Sequence, residues 1–263
     1  MLYAIKGSIL LLLLANGLQA VSSVAYPFAY EPDPTRFAKQ VDAYLVADSI
    51  NFPKSGGIVC IGSSSMRMWH PRIETDLAGL SLVARGFGGS HYSDVIYFAD
   101  ALILKYAPRA LVIYEGDNDA AYGKSVQRIF NDFKYLIQFC RKRLPDLRFY
   151  IIGAKPSVAR WDIAQEMQAA NAMIRDYCQD RLGITYIDVW PALLNDSGMP
   201  RAELFIQDGL HLNRASYNAW SAVIAPIIRQ AEAEFEGFQI RCLLKQYSYV
   251  HFGTSSSTVL LRQ

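Results

Sequence analysis

Five short apolar runs, each separated from the next by a stretch of helical character, leave this chain very few architectures. The runs are residues 57–61, 82–85, 110–114, 149–153 and 185–189. The clearest helical stretches are 125–144, closed by Pro145, 160–182, closed by Gly183, and 213–235, with Asn213 placed to cap it. Strands joined through helices pair in parallel, and a parallel sheet needs helices over both faces. The expected fold is therefore an α/β domain with its ligand site beyond the carboxyl ends of the strands. Residues 37–50, preceded by Asp33-Pro34-Thr35, carry apolar residues three and four apart and predict an amphipathic helix lying against this domain.

At 263 residues, 52% apolar and 19% charged, the chain has enough material for one full core and no linker or repeat that would divide it. A net charge of +2 with scattered Lys and Arg excludes a phosphate-tracking surface, so nucleic acid is not an expected partner. Residues 1–25 combine one lysine, a short apolar run and small residues, as in a secretory signal peptide cut after Ala20 or Ala25. That run is too short for a permanent membrane span, so the expectation is an exported, periplasmic or extracellular protein with no stable span after cleavage. The domain is expected over 26–236. The tail at 237–263 alternates apolar and polar residues and reads either as an added edge strand or, preferred here, as a disordered extension.

Four cysteines, Cys60, Cys140, Cys178 and Cys242, lack the paired short spacing of a metal or redox site. Cys60 reads as a small core residue, and a Cys140–Cys178 bridge is possible but unsupported. No zinc site is expected. Asp117 and Asp119 invite a calcium reading, but a calcium loop would need an oxygen ligand at Ala121 and glycine at Tyr122. Asp119 reads instead as a residue stabilising its own loop.

Four segments carry chemistry. Gly62-Ser63-Ser64-Ser65 places a hydroxyl at the exit of a strand and the start of a helix, where backbone N–H groups face developing negative charge. The same residues also suit a helix cap or a phosphate-binding loop. Asp208-Gly209-Leu210-His211 offers a general base and an acidic partner three residues apart, on one side of a helical turn. Gly86-Phe87-Gly88-Gly89-Ser90 lets a backbone N–H approach a substrate, and Asn118, in the loop after the third strand, offers a side-chain amide. With the Ser64 N–H, these would make an oxyanion hole. Tyr92, Tyr97, Trp161 and Trp190 suit either a substrate pocket or the core.

In this order the segments resemble the four blocks of the SGNH subgroup of the GDSL esterases and lipases, over about 57–213. The resemblance implies Ser64 as nucleophile, Gly89 and Asn118 as oxyanion donors, His211 as base and Asp208 as its partner. Register alone selects among Ser63, Ser64 and Ser65. Two departures stand out: Gly62-Ser63-Ser64 replaces the usual Gly-Asp-Ser, and Ser90 stands where Asp often follows the oxyanion glycine. The implied fold is a flavodoxin-like α/β/α sandwich with a five-stranded parallel sheet, and the resemblance implies no metal or organic cofactor. The implied activity is hydrolysis of a small-molecule, lipid or carbohydrate ester, lysophospholipase- or esterase-like. Carbohydrate O-acetyl ester cleavage or acyl transfer would use the same triad, and a flavin- or anion-binding protein would use only the fold.

Overall fold

A computed structural model describes the backbone of residues 31–252 and side chains as far as 237. The signal-peptide reading at 1–25 therefore lies outside the described residues. Five parallel strands, β1 Ile58–Gly62, β2 Leu82–Gly86, β3 Ala110–Tyr114, β4 Arg148–Ile152 and β5 Ile184–Ile187, form one sheet in the order β2-β1-β3-β4-β5. The helices are α1 Ala38–Ile50, α2 Ser64–Asp76, α3 Tyr92–Tyr97, α4 Ala99–Leu102, α5 Asp117–Ala121, α6 Val126–Arg143, α7 Ala164–Gln179 and α8 Arg214–Phe252. This is the expected three-layer α/β/α fold.

Alternation along the strands divides the core in two. Val59 and Ile61 of β1, with Leu111 and Ile113 of β3, face α1, α3, α4, α6 and α7. Ile58 and Cys60, with Val112 and Tyr114, face α2 and α8. On that second face Trp69 of α2 meets Trp220 of α8 edge-on, ring centroids 5.9 Å apart. The far end of the α8 contact is polar: buried Glu232 accepts from Arg109, Arg148 and the Tyr150 hydroxyl.

From β1 the chain moves outward to β2, then crosses back to β3 on the other side of β1. The loops leaving β1 and β3 diverge there, and a crevice opens at such a switch point. Gly62 ends β1 at this place. Its backbone runs so close to β3 that a Cβ would lie 2.0 Å from the Tyr114 carbonyl oxygen, with φ at +144°.

Two expectations are corrected. The stretch expected as helix from 160 begins as a 3₁₀ segment, Val158–Ile163, with Arg160 at φ −127°, ψ 25°, and only then becomes α7. The tail past Gly237 is neither strand nor unstructured as far as Phe252: the backbone of α8 continues through it. No proline interrupts 238–252, and one interior glycine costs a helix only about 1 kcal/mol. The bridge left open between Cys140 and Cys178 is not formed, since both are free and buried, and Cys60 is buried in the core as expected.

Candidate active site

Ser63 caps α2 and Ser64 is its first helical residue, so the Ser64 N–H has no acceptor within the helix. Ser63 and Ser65 are buried, and only Ser64 of the three turns a hydroxyl toward His211. Its Oγ lies 2.9 Å from His211 Nε2, and His211 Nδ1 lies 2.6 Å from Asp208 Oδ2. The Asp208 contact assigns the proton to Nδ1, which leaves Nε2 as the acceptor facing the serine.

Asp208 and His211 were expected on a helical turn. They occupy instead a turn built by the Asp208 side chain, whose Oδ1 accepts from the Leu210 and His211 N–H groups, both at 2.9 Å. This is the usual competition of an aspartate with helix geometry. The turn ends at Asn213, whose Oδ1 accepts from Ala215 and Ser216 N–H and so caps α8. The hydrogen bond to His211, followed by the two backbone donors, lowers the Asp208 carboxyl to about 2. Asp208 side-chain exposure of 43% and His211 exposure of 25% leave this pair open to solvent.

Gly89 adopts φ +88°. Asn118, expected in a loop, is the second residue of the short helix α5. Its Nδ2 donates to the Ser90 carbonyl at 3.0 Å, which brings the amide beside the Gly89 loop. Its Oδ1 accepts from Arg160 Nη2 at 2.8 Å. The other end of that guanidinium is 3.1 Å from Asp117 Oδ2, which also accepts from the Tyr114 hydroxyl at 3.0 Å and lies 3.5 Å from buried Lys155. Burial lowers Lys155, and Asp117 opposes that. Asp119 holds Lys124 at 2.8 Å and accepts from Tyr92 N–H, so it does stabilise its own loop.

The Gly89 loop is held from beneath. Ser90 Oγ lies 2.5 Å from Glu115 Oε1 and 3.0 Å from the Phe87 carbonyl. Burial, reinforced by Asp119, pushes Glu115 well above the usual carboxylate range. A hydroxyl has one proton for these two acceptors, and a neutral Glu115 supplies the second. At the entrance to the loop, Gly86 N–H donates to His70 Nε2 at 3.0 Å and Gly86 carbonyl accepts from the Tyr44 hydroxyl at 2.5 Å. Burial, followed by Arg85 and Arg67, lowers His70 to about 4.

Of the aromatic candidates, Tyr92 is core, while Trp161 is partly buried against buried Trp190, centroids 6.3 Å apart. Arg160, Glu115, Lys155 and His70 were not expected from the sequence. The visible signals were a glutamate directly beyond strand β3 and a lysine three positions beyond strand β4.

Comparison with solved structures supports the fold. A GDSL-like lipase from Bacteroides thetaiotaomicron superimposes with TM-score 0.60 at 18% identity, covering 76% of this chain and 98% of that one. A lipase/acylhydrolase from Enterococcus faecalis gives TM-score 0.55 at 17% identity, covering 67% and 96%. A family 3 carbohydrate esterase from Clostridium thermocellum gives 0.53 at 16%, covering 68% and 99%. No curated protein matches the sequence. Residues 29–219 match the model of one family, and the chain belongs to it: the GDSL-like lipase/acylhydrolase family.

Proposed function

We propose that this chain is an exported serine hydrolase of carboxylic esters. The observation that carries the reading is the unbroken path from Ser64 Oγ through His211 to Asp208, at 2.9 and 2.6 Å. Ser64 Oγ attacks the ester carbonyl as His211 Nε2 takes its proton. The Ser64 and Gly89 N–H groups and Asn118 Nδ2 receive the oxyanion. Collapse of the tetrahedral intermediate expels the alcohol, which takes the proton from His211. A water activated by the same base then releases the acid. Asp208, ionised at neutral pH, holds the imidazole tautomer and stabilises the imidazolium. The solvent-open Asp208–His211 pair favours an ester presented at the protein surface. The lipase and carbohydrate esterase among the structural neighbours keep both lipid and carbohydrate esters within range.

The test is hydrolysis of p-nitrophenyl acetate, butyrate and longer esters by the mature protein. Ser64→Ala and His211→Ala variants, folded by circular dichroism, should each lose on the order of 10⁴-fold or more in kcat. Variants that match the wild type would remove the triad assignment.

A further inference from the structure

The segment after β4 touches both halves of the proposed machinery. Ala159 N–H donates to the Gly209 carbonyl at 3.0 Å, in the turn that carries Asp208 and His211. The next residue, Arg160, reaches the opposite wall. Its guanidinium meets two consecutive side chains: Nη2 donates to Asn118 Oδ1 at 2.8 Å, and Nη1 lies 3.1 Å from Asp117 Oδ2 as an ion pair without hydrogen-bond geometry. Arg160 is also the one position in the 3₁₀ segment whose backbone leaves helical geometry.

A side-chain amide has two faces that its own torsion does not distinguish, and only one puts N–H toward a substrate. Here both ends are held. Ser90 carbonyl takes one Nδ2 hydrogen, and Arg160 occupies the oxygen. The second Nδ2 hydrogen is the one left to point into the site. A cation on the amide oxygen also draws electron density from the amide and strengthens the remaining N–H as a donor. The guanidinium is held in turn by Asp117, itself fixed by Tyr114 and Lys155 beneath it.

We infer that Arg160 is a positioning residue for the oxyanion hole, fixing and polarising the Asn118 amide so that its free N–H meets the developing oxyanion. The inference rests on the serine-hydrolase reading above. It makes 155–160 a fifth segment of the site, joining the oxyanion side to the acid–base side. Lysine would replace arginine there only in part, because its ammonium is a point charge without the planar guanidinium that meets Asn118 and Asp117.

The experiment is a double-mutant cycle on p-nitrophenyl acetate with wild type, Arg160→Met, Asn118→Ala and the pair, each checked for native melting. Asn118→Ala should lower kcat about 10²–10³-fold, the range for loss of one oxyanion donor. Arg160→Met should lower kcat about tenfold or more with KM within about twofold. In the Asn118→Ala background the same change should cost less than about twofold, since the group it positions is gone. Arg160→Lys should recover only part of the loss. If Arg160→Met is poorly folded, Arg160→Ala is assayed with millimolar guanidinium ion, which should raise kcat there and leave Asn118→Ala unchanged. Additive losses, a change confined to KM, or no rescue would overturn the role of Arg160. Wild-type activity independent of Ser64 would overturn the underlying reading instead.

Discussion

His70 lets the support of the Gly89 loop be tested by pH alone. Its Nε2 must stay unprotonated to accept from Gly86 N–H, and Nδ1 lies 3.4 Å from the Tyr44 hydroxyl that donates to the Gly86 carbonyl. Burial, then Arg85 and Arg67, depress the folded-state value from 6.5 to about 4. A depressed imidazole costs nothing above pH 6.5, where both states are neutral. As pH falls, the unfolded chain takes a proton that the folded chain refuses, so stability is lost between about 6.5 and 4 and levels off below. At pH 4.5 the difference amounts to roughly 2–3 kcal/mol. Urea unfolding at pH 7 and pH 4.5 should therefore show wild type losing about that much more than His70→Gln, whose amide oxygen is placed to accept from Gly86 without titrating. Other groups, including His91, also lowered to about 4, cancel in the comparison. Equal losses in the two proteins would show that His70 takes its proton freely in the folded state and that the Gly86 bond does not hold it neutral.

Two further substitutions probe the same crevice. Gly62→Ala places a methyl 2.0 Å from the Tyr114 carbonyl and should cost more than about 3 kcal/mol, read as lost soluble yield or a collapsed melting temperature; a variant with native melting would contradict the β1–β3 register. Glu115→Gln should change stability by less than about 1 kcal/mol at pH 7, whereas Glu115→Ala should cost about 2–3 kcal/mol in urea unfolding. Because the folded-state value is raised, the stability tied to Glu115 is present at low pH and lost as pH rises through that value, and Gln should abolish this alkaline loss. A Gln variant as unstable as Ala would mean that Glu115 is charged.

Much of the fold was legible because a sheet buried on both faces writes itself as continuous apolar runs. Ile58–Gly62 and Ala110–Tyr114 are buried throughout, and both had been read as strands. The four candidate segments were legible because each lies at or beside a turn where glycine, serine or aspartate has a local reason to be. Arg160 was not, because it lies within what reads as one helix, and its deviation is imposed by partners at 117 and 118. Glu115 was hidden differently: a glutamate ending an apolar strand looks like a surface residue, and only Ser90, 25 positions earlier, accounts for its burial. The tail past Gly237 was misread because short-range alternation of apolar and polar residues does not by itself decide between strand, helix and extension.

The hydrogen bond between Ser64 and His211 spans 147 positions of sequence. The proposed nucleophile, the loop glycine and the amide all lie in the first half of the chain, while the proposed base arrives with the turn that starts α8. A nascent chain that has folded only through β4 thus holds a serine with no partner to take its proton, and it is chemically inert. Competence appears when 208–211 reaches the crevice and Trp220 closes on Trp69, a step Tyr217 reports directly through its 2.8 Å bond to the Ser65 carbonyl. Onset of ester cleavage during refolding would therefore time the docking of α8, a contact of long reach in sequence.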